Sequence, residues 1–264
     1  MSRKRGLGLA LLLLAALLVS CSRKEKEESA DAESKEAEVE ATAPAVAADL
    51  ANGATVTGKI TFGGAKPKPA LIRMDAEPEC MRAHSTPVYS QEVTINDNGT
   101  LRYVLVYVKD GLGAKVFKPI EAKVRLDQRG CLYDPHVFAV VAGQEVEVAN
   151  DDPTTHNIHP LPKVNREWNQ SQSPKTEPLK KTFQQPEMPP IAVKCNIHPW
   201  MKSYIAVLKH PFFSVSAKDG SFEIKGLPPG TYTIEAWHEK LGAQEQKVTV
   251  SAKDSKKIDF DFKG

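Results

Sequence analysis

From Ala54 to the end of the chain, apolar and β-branched residues recur at period two, in short runs cut by Gly, Pro and Asn-Asp turns. Thr55-Val56-Thr57-Gly58-Lys59-Ile60-Thr61-Phe62 alternates and stops at Gly63-Gly64. Such runs predict strands at 55–62, 101–108, 124–126, 137–141, 145–148, 191–194, 204–208, 222–224, 231–237, 246–250 and 258–262. No long stretch in this region carries the 3.6-residue period, and the chain's 19 prolines oppose long helices. The expected fold is all-β, with antiparallel sheets packed as sandwiches.

The first fifty residues are of another kind. Arg3, Lys4 and Arg5 precede an apolar run from Gly6 to Val19, which closes at Leu18-Val19-Ser20-Cys21. A charged start, a short apolar core and small residues at its end describe a secretory signal, and the run is too short for a membrane span. The Leu-Val-Ser-Cys ending resembles the lipobox of bacterial lipoproteins. That resemblance implies acylation of Cys21, a signal peptide over 1–20 and a periplasm-facing anchor in the cell envelope. The same resemblance implies the outer membrane rather than the inner one, since Ser22 and not Asp follows the Cys. Residues 21–52 are rich in Glu, Lys and Ala, so little apolar surface offsets the entropy of ordering, and a disordered acidic tether is expected. A net charge of +2 without a clustered basic surplus excludes a nucleic-acid binder.

The densest chemistry lies in Cys195-Asn196-Ile197-His198-Pro199-Trp200-Met201, just after a predicted strand. A thiol, an imidazole and a thioether share one short loop. His156 lies upstream, after the turn at 150–153, and is expected on a second loop. Two imidazoles and a thiolate with a weak thioether select copper in an electron-transfer centre, whereas zinc sites favour carboxylate over Met. Cys195-x-x-His198-Pro199-Trp200-Met201 resembles the ligand loop of the cupredoxins in the short form of the amicyanins, and His156-Asn157 resembles the family's first-ligand segment. The order of elements from Val124 to Leu208 follows the same family. The resemblance implies one type 1 (blue) copper held by His156, Cys195, His198 and Met201. It implies that His159 is not a ligand, and that Pro199 and Trp200 pack around an exposed His198 edge that serves as the electron port. The Pro-rich connection 160–190 departs from the family pattern and has no expected path.

The chain has four cysteines. With Cys21 given to lipid and Cys195 to copper, Cys80 and Cys131 remain, and an exported compartment permits a disulfide between them. A second metal site built from Cys80, His84, Cys131 and His136 is the alternative. His238, at a strand end, reads as structural.

Asp219 to Ile234, with its Pro228-Pro229-Gly230-Thr231 turn, resembles part of the transthyretin-like sandwich of the carboxypeptidase regulatory-like family, whose opening strand Thr57-Gly58-Lys59-Ile60 also resembles. The expected organisation is a cupredoxin at 121–208 inserted into a discontinuous sandwich of 53–120 and 209–264. A cupredoxin with an extended N-terminus and a separate C-terminal module is the alternative. No phosphate loop, metalloprotease helix or hydrolase elbow is present, so an enzyme is not expected. The expected function is electron transfer to an unidentified redox partner protein. Copper delivery is the alternative, weakened by only five methionines without clustering.

Overall fold

The computed structural model describes residue 49, residues 51–118 and residues 122–264. The expected signal peptide, Cys21 and most of the tether lie outside the described residues. Strand β1 (Ala54–Gly63) is followed by the five-residue helix α1 (Pro78–Arg82) and by β2 (Leu105–Asp110). The middle of the chain holds β3 (Val124–Arg129), β4 (Leu132–Asp134), β5 (Val137–Val141), β6 (Glu145–Asn150), β7 (His156–Leu161), β8 (Gln170–Gln172), β9 (Leu179–Thr182), β10 (Glu187–Lys194) and β11 (Lys202–Leu208). The remainder holds β12 (Phe213–Val215), β13 (Ser221–Leu227), β14 (Gly230–His238), β15 (Gly242–Val250), β16 (Ser255–Lys257) and β17 (Phe260–Lys263). The fold is all-β, as the period-two pattern requires.

Four sheets result. Two enclose one core: β4-β3-β6-β9 faces β5-β11-β10-β7-β8 across Leu126, Phe138, Val148, Ile158, Ile191 and Ile205. The other two enclose a second core: β13-β1-β16, with β17 on β1, faces β12-β2-β14-β15 across Ile60, Val106, Phe212, Phe222, Phe260 and Phe262. The connection 160–190 crosses from one sheet of the first sandwich to the other, adding β8 to β7 and β9 to β6. β1 pairs antiparallel with β13 and parallel with β17, so segments before residue 64 and after residue 220 complete one sheet. Gly58 permits this approach, because a Cβ there would fall 1.7 Å from the Ile258 carbonyl oxygen.

The two sandwiches share a buried seam of Leu105, Tyr107, Val137, Ala139, Ala206 and Leu208. This explains why β2, β5 and β11 are nearly continuous apolar runs rather than alternating ones. In β5, Phe138 and Val140 enter the first core while Val137 and Ala139 enter the seam. Strands covered on both faces lose the polar half of their alternation. The strand expected at 101–108 starts only at Leu105, because Tyr103 takes a positive φ (65°) and breaks the extended run.

Two histidines are buried in the second sandwich. His210 bonds the Val108 carbonyl through Nε2 (2.8 Å), and its Nδ1 accepts the Phe212 N–H (3.2 Å). His238 Nδ1 accepts the N–H groups of Lys240 and Leu241. Burial pulls each imidazole from 6.5 down to about 4. The unfolded chain therefore binds these protons first. The stability contribution of each group is complete above pH 6.5 and is lost as the pH falls toward 4, at up to about 1.4 kcal/mol per pH unit for each residue. The midpoint of urea unfolding should drop across that interval, with a shallower slope in His210→Gln. A midpoint independent of pH there would contradict this assignment.

Candidate metal centre

β10 and β11 form an antiparallel pair in register at Lys194 and Lys202, so Cys195 to Met201 is the connecting loop of a hairpin. Its own backbone closes it: the Cys195 N–H donates to the Met201 carbonyl (3.3 Å) and the Met201 N–H to that of His198 (2.9 Å). The His198 N–H points at Cys195 Sγ (3.4 Å). His156 comes from the start of β7, which pairs with β10 on its other side. Its placement follows from the turn after β6. Asn150 caps that turn by accepting the Asp152 N–H at Oδ1 (3.1 Å) and donating to the Thr154 and Gln172 carbonyls (2.9 Å each).

Three donors meet at this point. His156 Nδ1 and His198 Nδ1 lie 2.8 Å apart, and Cys195 Sγ lies 3.8 Å from His198 Nδ1. His156, Cys195 and His198 are all buried, with one donor atom from each inside a 4.8 Å cluster. Met201 is fully buried in the same core. Asn157 joins the two segments: its N–H points at Cys195 Sγ (3.5 Å), and its Oδ1 accepts the Asn196 N–H (2.6 Å).

Asp152 governs the electrostatics. Its carboxylate takes the N–H groups of Gly130 (2.6 Å) and Cys131 (2.7 Å) and, at the same time, His156 Nε2 (2.9 Å). A carboxylate on the outer ring nitrogen fixes the tautomer that leaves Nδ1 free as a donor. Burial raises the Asp152 carboxyl, but the His156 ring and the two backbone donors outweigh it and hold it below its usual range. Burial also raises the Cys195 thiol, but the His156 ring and the N–H groups of Asn157, His198 and Ile197 bring it below an ordinary thiol, toward the thiolate that binds metal.

Gly130 and Cys131 form the two-residue turn between β3 and β4, both at positive φ (62° and 55°). That pair matches the tight hairpin turn whose twist suits adjacent strands. Gly takes it freely, and a Cβ at 130 would press to 2.8 Å from the His84 ring. Cys131 takes it at a cost of about 1–2 kcal/mol, offset by its N–H bond to Asp152 and its covalent partner. The sulfurs of Cys80 and Cys131 are joined in a disulfide.

Residues 206–258 match the family model described as polysaccharide lyase family 4, domain II. No curated protein matches the chain. Among solved structures, the copper-containing nitrite reductase from Thermus scotoductus SA-01 aligns at 25% identity and a TM-score of 0.29, covering 36% of this chain and 24% of its own. This chain thus spans about a quarter of that enzyme's length. Amicyanin from Paracoccus versutus aligns at 16% identity and 0.29, covering 39% of this chain and 96% of its own. A purple cupredoxin from Nitrosopumilus maritimus aligns at 19% identity and 0.28, covering 33% and 99%. Likenesses this partial carry no weight for the site, which rests on its own geometry.

The structure brings His156, Cys195 and His198 together and buries Met201 in the core around them. His159 stands apart, bonded to Asn196 and Glu167 at the surface. Among the described residues, neither His84 nor His136 joins a donor cluster with the cysteines. His84 bonds the Gly130 carbonyl, and His136 pairs with the buried Glu239. His156 opens a strand rather than sitting within a loop. The expected exposed His198 edge is covered as well. Trp200 packs on one side (ring centroids 5.2 Å apart), and Cys80 Sγ (3.8 Å) and the Glu77 carboxylate (3.8 Å) close over Nε2. The cover is α1 and its flanks, since Met74 and Cys80 belong to the core of the metal-site sandwich. Sequence reasoning assigned no role to Asp152 or Glu77, and none to Asn157 beyond its place beside His156. An acid four residues before a candidate ligand was the one available signal.

Proposed function

We propose that this protein binds one copper ion at His156, Cys195, His198 and Met201 and carries single electrons. The observation that supports this most is the buried convergence of two imidazoles and a thiol, from two segments, with a buried thioether in the same core. This donor set suits copper better than zinc, and it leaves no open position for a substrate. Copper there would supply a one-electron couple between Cu(I) and Cu(II). The residues supply the rest: Asp152 orients His156, Asn157 binds the thiolate, and the closed β10–β11 loop holds the remaining donors with little need to move. We read the chain as a carrier, not an enzyme. It would be anchored through Cys21 to the envelope membrane, the outer more than the inner, and would face a periplasmic redox protein. Residues 121–208 would form the copper sandwich, and 53–120 with 209–264 the discontinuous one; the pairing of β1 with β13 and β17 supports that reading.

Copper delivery is a second reading, favoured by the covered His198 edge. Film voltammetry of the copper-loaded full chain separates the two. Electron transfer predicts a reversible one-electron wave with metal retained over many cycles. An irreversible wave, with Cu(I) passing to a chelator on reduction, would support delivery and overturn the carrier role.

A further inference from the structure

His198 stands between a sulfur–nitrogen pair, Cys195 and His156, and a pair of sulfurs, Cys80 and Cys131. Its Nδ1 lies 3.8 Å from Cys195 Sγ and 2.8 Å from His156 Nδ1. Its Nε2 lies 3.8 Å from Cys80 Sγ, and one donor atom from each of Cys80, Cys131 and His198 falls within a second 4.8 Å cluster. The two clusters share only the imidazole. The covering disulfide is also tied to the first site by two further contacts: Asp152 bonds both the Cys131 N–H and His156, and Trp200 Nε1 donates to the Cys131 carbonyl (3.0 Å) while packing on His198.

A sulfur-to-nitrogen separation of 3.8 Å is short enough for both donors to flank one ion at about 2.3 and 2.0 Å, the bond lengths of sulfur and nitrogen ligands in zinc sites. Two thiolates and an imidazole are soft enough to select Cu(I). The disulfide withholds the thiolates in the structure as it stands. We propose that Cys80, Cys131 and His198 Nε2 form a second, thiol-dependent Cu(I) site, which loads the first. The proposal rests on the copper reading above only for what the second site feeds.

The chemistry balances with an external dithiol as reductant. One thiolate of that donor attacks a protein sulfur and breaks the Cys80–Cys131 bond. The donor's second thiol then resolves the mixed disulfide, leaving the donor oxidised and the protein with two thiols. Two electrons and two protons reach the protein. Cu(I) then displaces the thiol protons and, when the first site is also filled, the remaining ring N–H proton, since an imidazole that binds through both nitrogens is an imidazolate; the copper keeps its oxidation state. An external disulfide reverses the exchange: one protein thiolate attacks it, the other resolves the mixed disulfide, the Cys80–Cys131 bond re-forms, and the two electrons leave on the external dithiol. The expelled Cu(I) then has the Nδ1 face of the same ring as its adjacent acceptor. α1 must open for this exchange, because both sulfurs are buried. It is a single short helix, held at one end by the His84–Gly130 contact.

The test is anaerobic Cu(I) titration of the full chain against a chromophoric chelator. One sample is oxidised, and one is reduced with a phosphine that is then removed. The reduced protein should bind one equivalent more than the oxidised protein. That increment should persist in Cys195→Ser and vanish in Cys80→Ser/Cys131→Ser. Copper-edge absorption on singly loaded, reduced Cys195→Ser should show nitrogen as well as sulfur ligation, which a dithiol in an unfolded chain would not give. Equal stoichiometry in oxidised and reduced protein, or sulfur-only ligation, overturns the proposal. Failure of the first site reads out separately, as an oxidised protein that binds no Cu(I).

Discussion

Cys195→Ser is expected to lack the intense visible absorption predicted for the unmodified protein with Cu(II), while the far-ultraviolet β-sheet signal stays in place. The band would arise from charge transfer between thiolate and metal, and a serine oxygen does not provide it. The fold should survive because the polar partners of Cys195 Sγ are the N–H groups of Asn157, His198 and Ile197, Asn157 Oδ1 and the neighbouring rings. Serine can engage the same backbone donors, so the stability cost should stay near about 1–2 kcal/mol. A band of undiminished strength in the variant would show that the thiol is not a ligand.

Asp152→Ala should be the most destabilising single change near the site. The carboxylate is buried and serves three donors. Its removal strands the Gly130 and Cys131 N–H groups and leaves His156 Nε2 without the partner that orients it. An unsatisfied buried donor costs about 1–3 kcal/mol, so a loss of roughly 3–5 kcal/mol is expected by chemical denaturation. Copper affinity should fall about 10–100-fold, the usual effect of losing the partner that orients a ligating histidine. The neighbouring Asp151→Ala loses only exposed contacts to Arg125 and Arg129 and should stay within about 1 kcal/mol. Equal effects at the two positions would contradict the role given to Asp152.

Most strands could be read from the sequence because their side-chain period is local. β1 and β14 have alternating faces and turn residues at their ends, and they fall close to where the pattern puts them, whereas β15 begins at Gly242, ahead of the expected 246, because its full length pairs with β14. β7 did not read as a strand. His156 to Leu161 holds two histidines and a proline, and only its pairing with β8 and β10 keeps it extended. The five-residue α1 has no apolar period to betray it, and its place depends on Cys80. The loop ligands were legible because Cys195, His198 and Met201 sit so close together. The cover over His198 was not, since Cys80 lies 118 residues away and that contact exists only in three dimensions. Asp152 was concealed for the opposite reason: within Asn150-Asp151-Asp152-Pro153 it looks like ordinary turn chemistry.

X-ray absorption at the copper edge of the loaded, unmodified chain reads the ligand set directly. A single copper environment with one sulfur at short distance and two imidazole nitrogens is the expected result, with thioether at most a weak, longer shell. A spectrum fitted by nitrogen and oxygen alone would mean that the metal sits elsewhere, and the account of this site would be wrong.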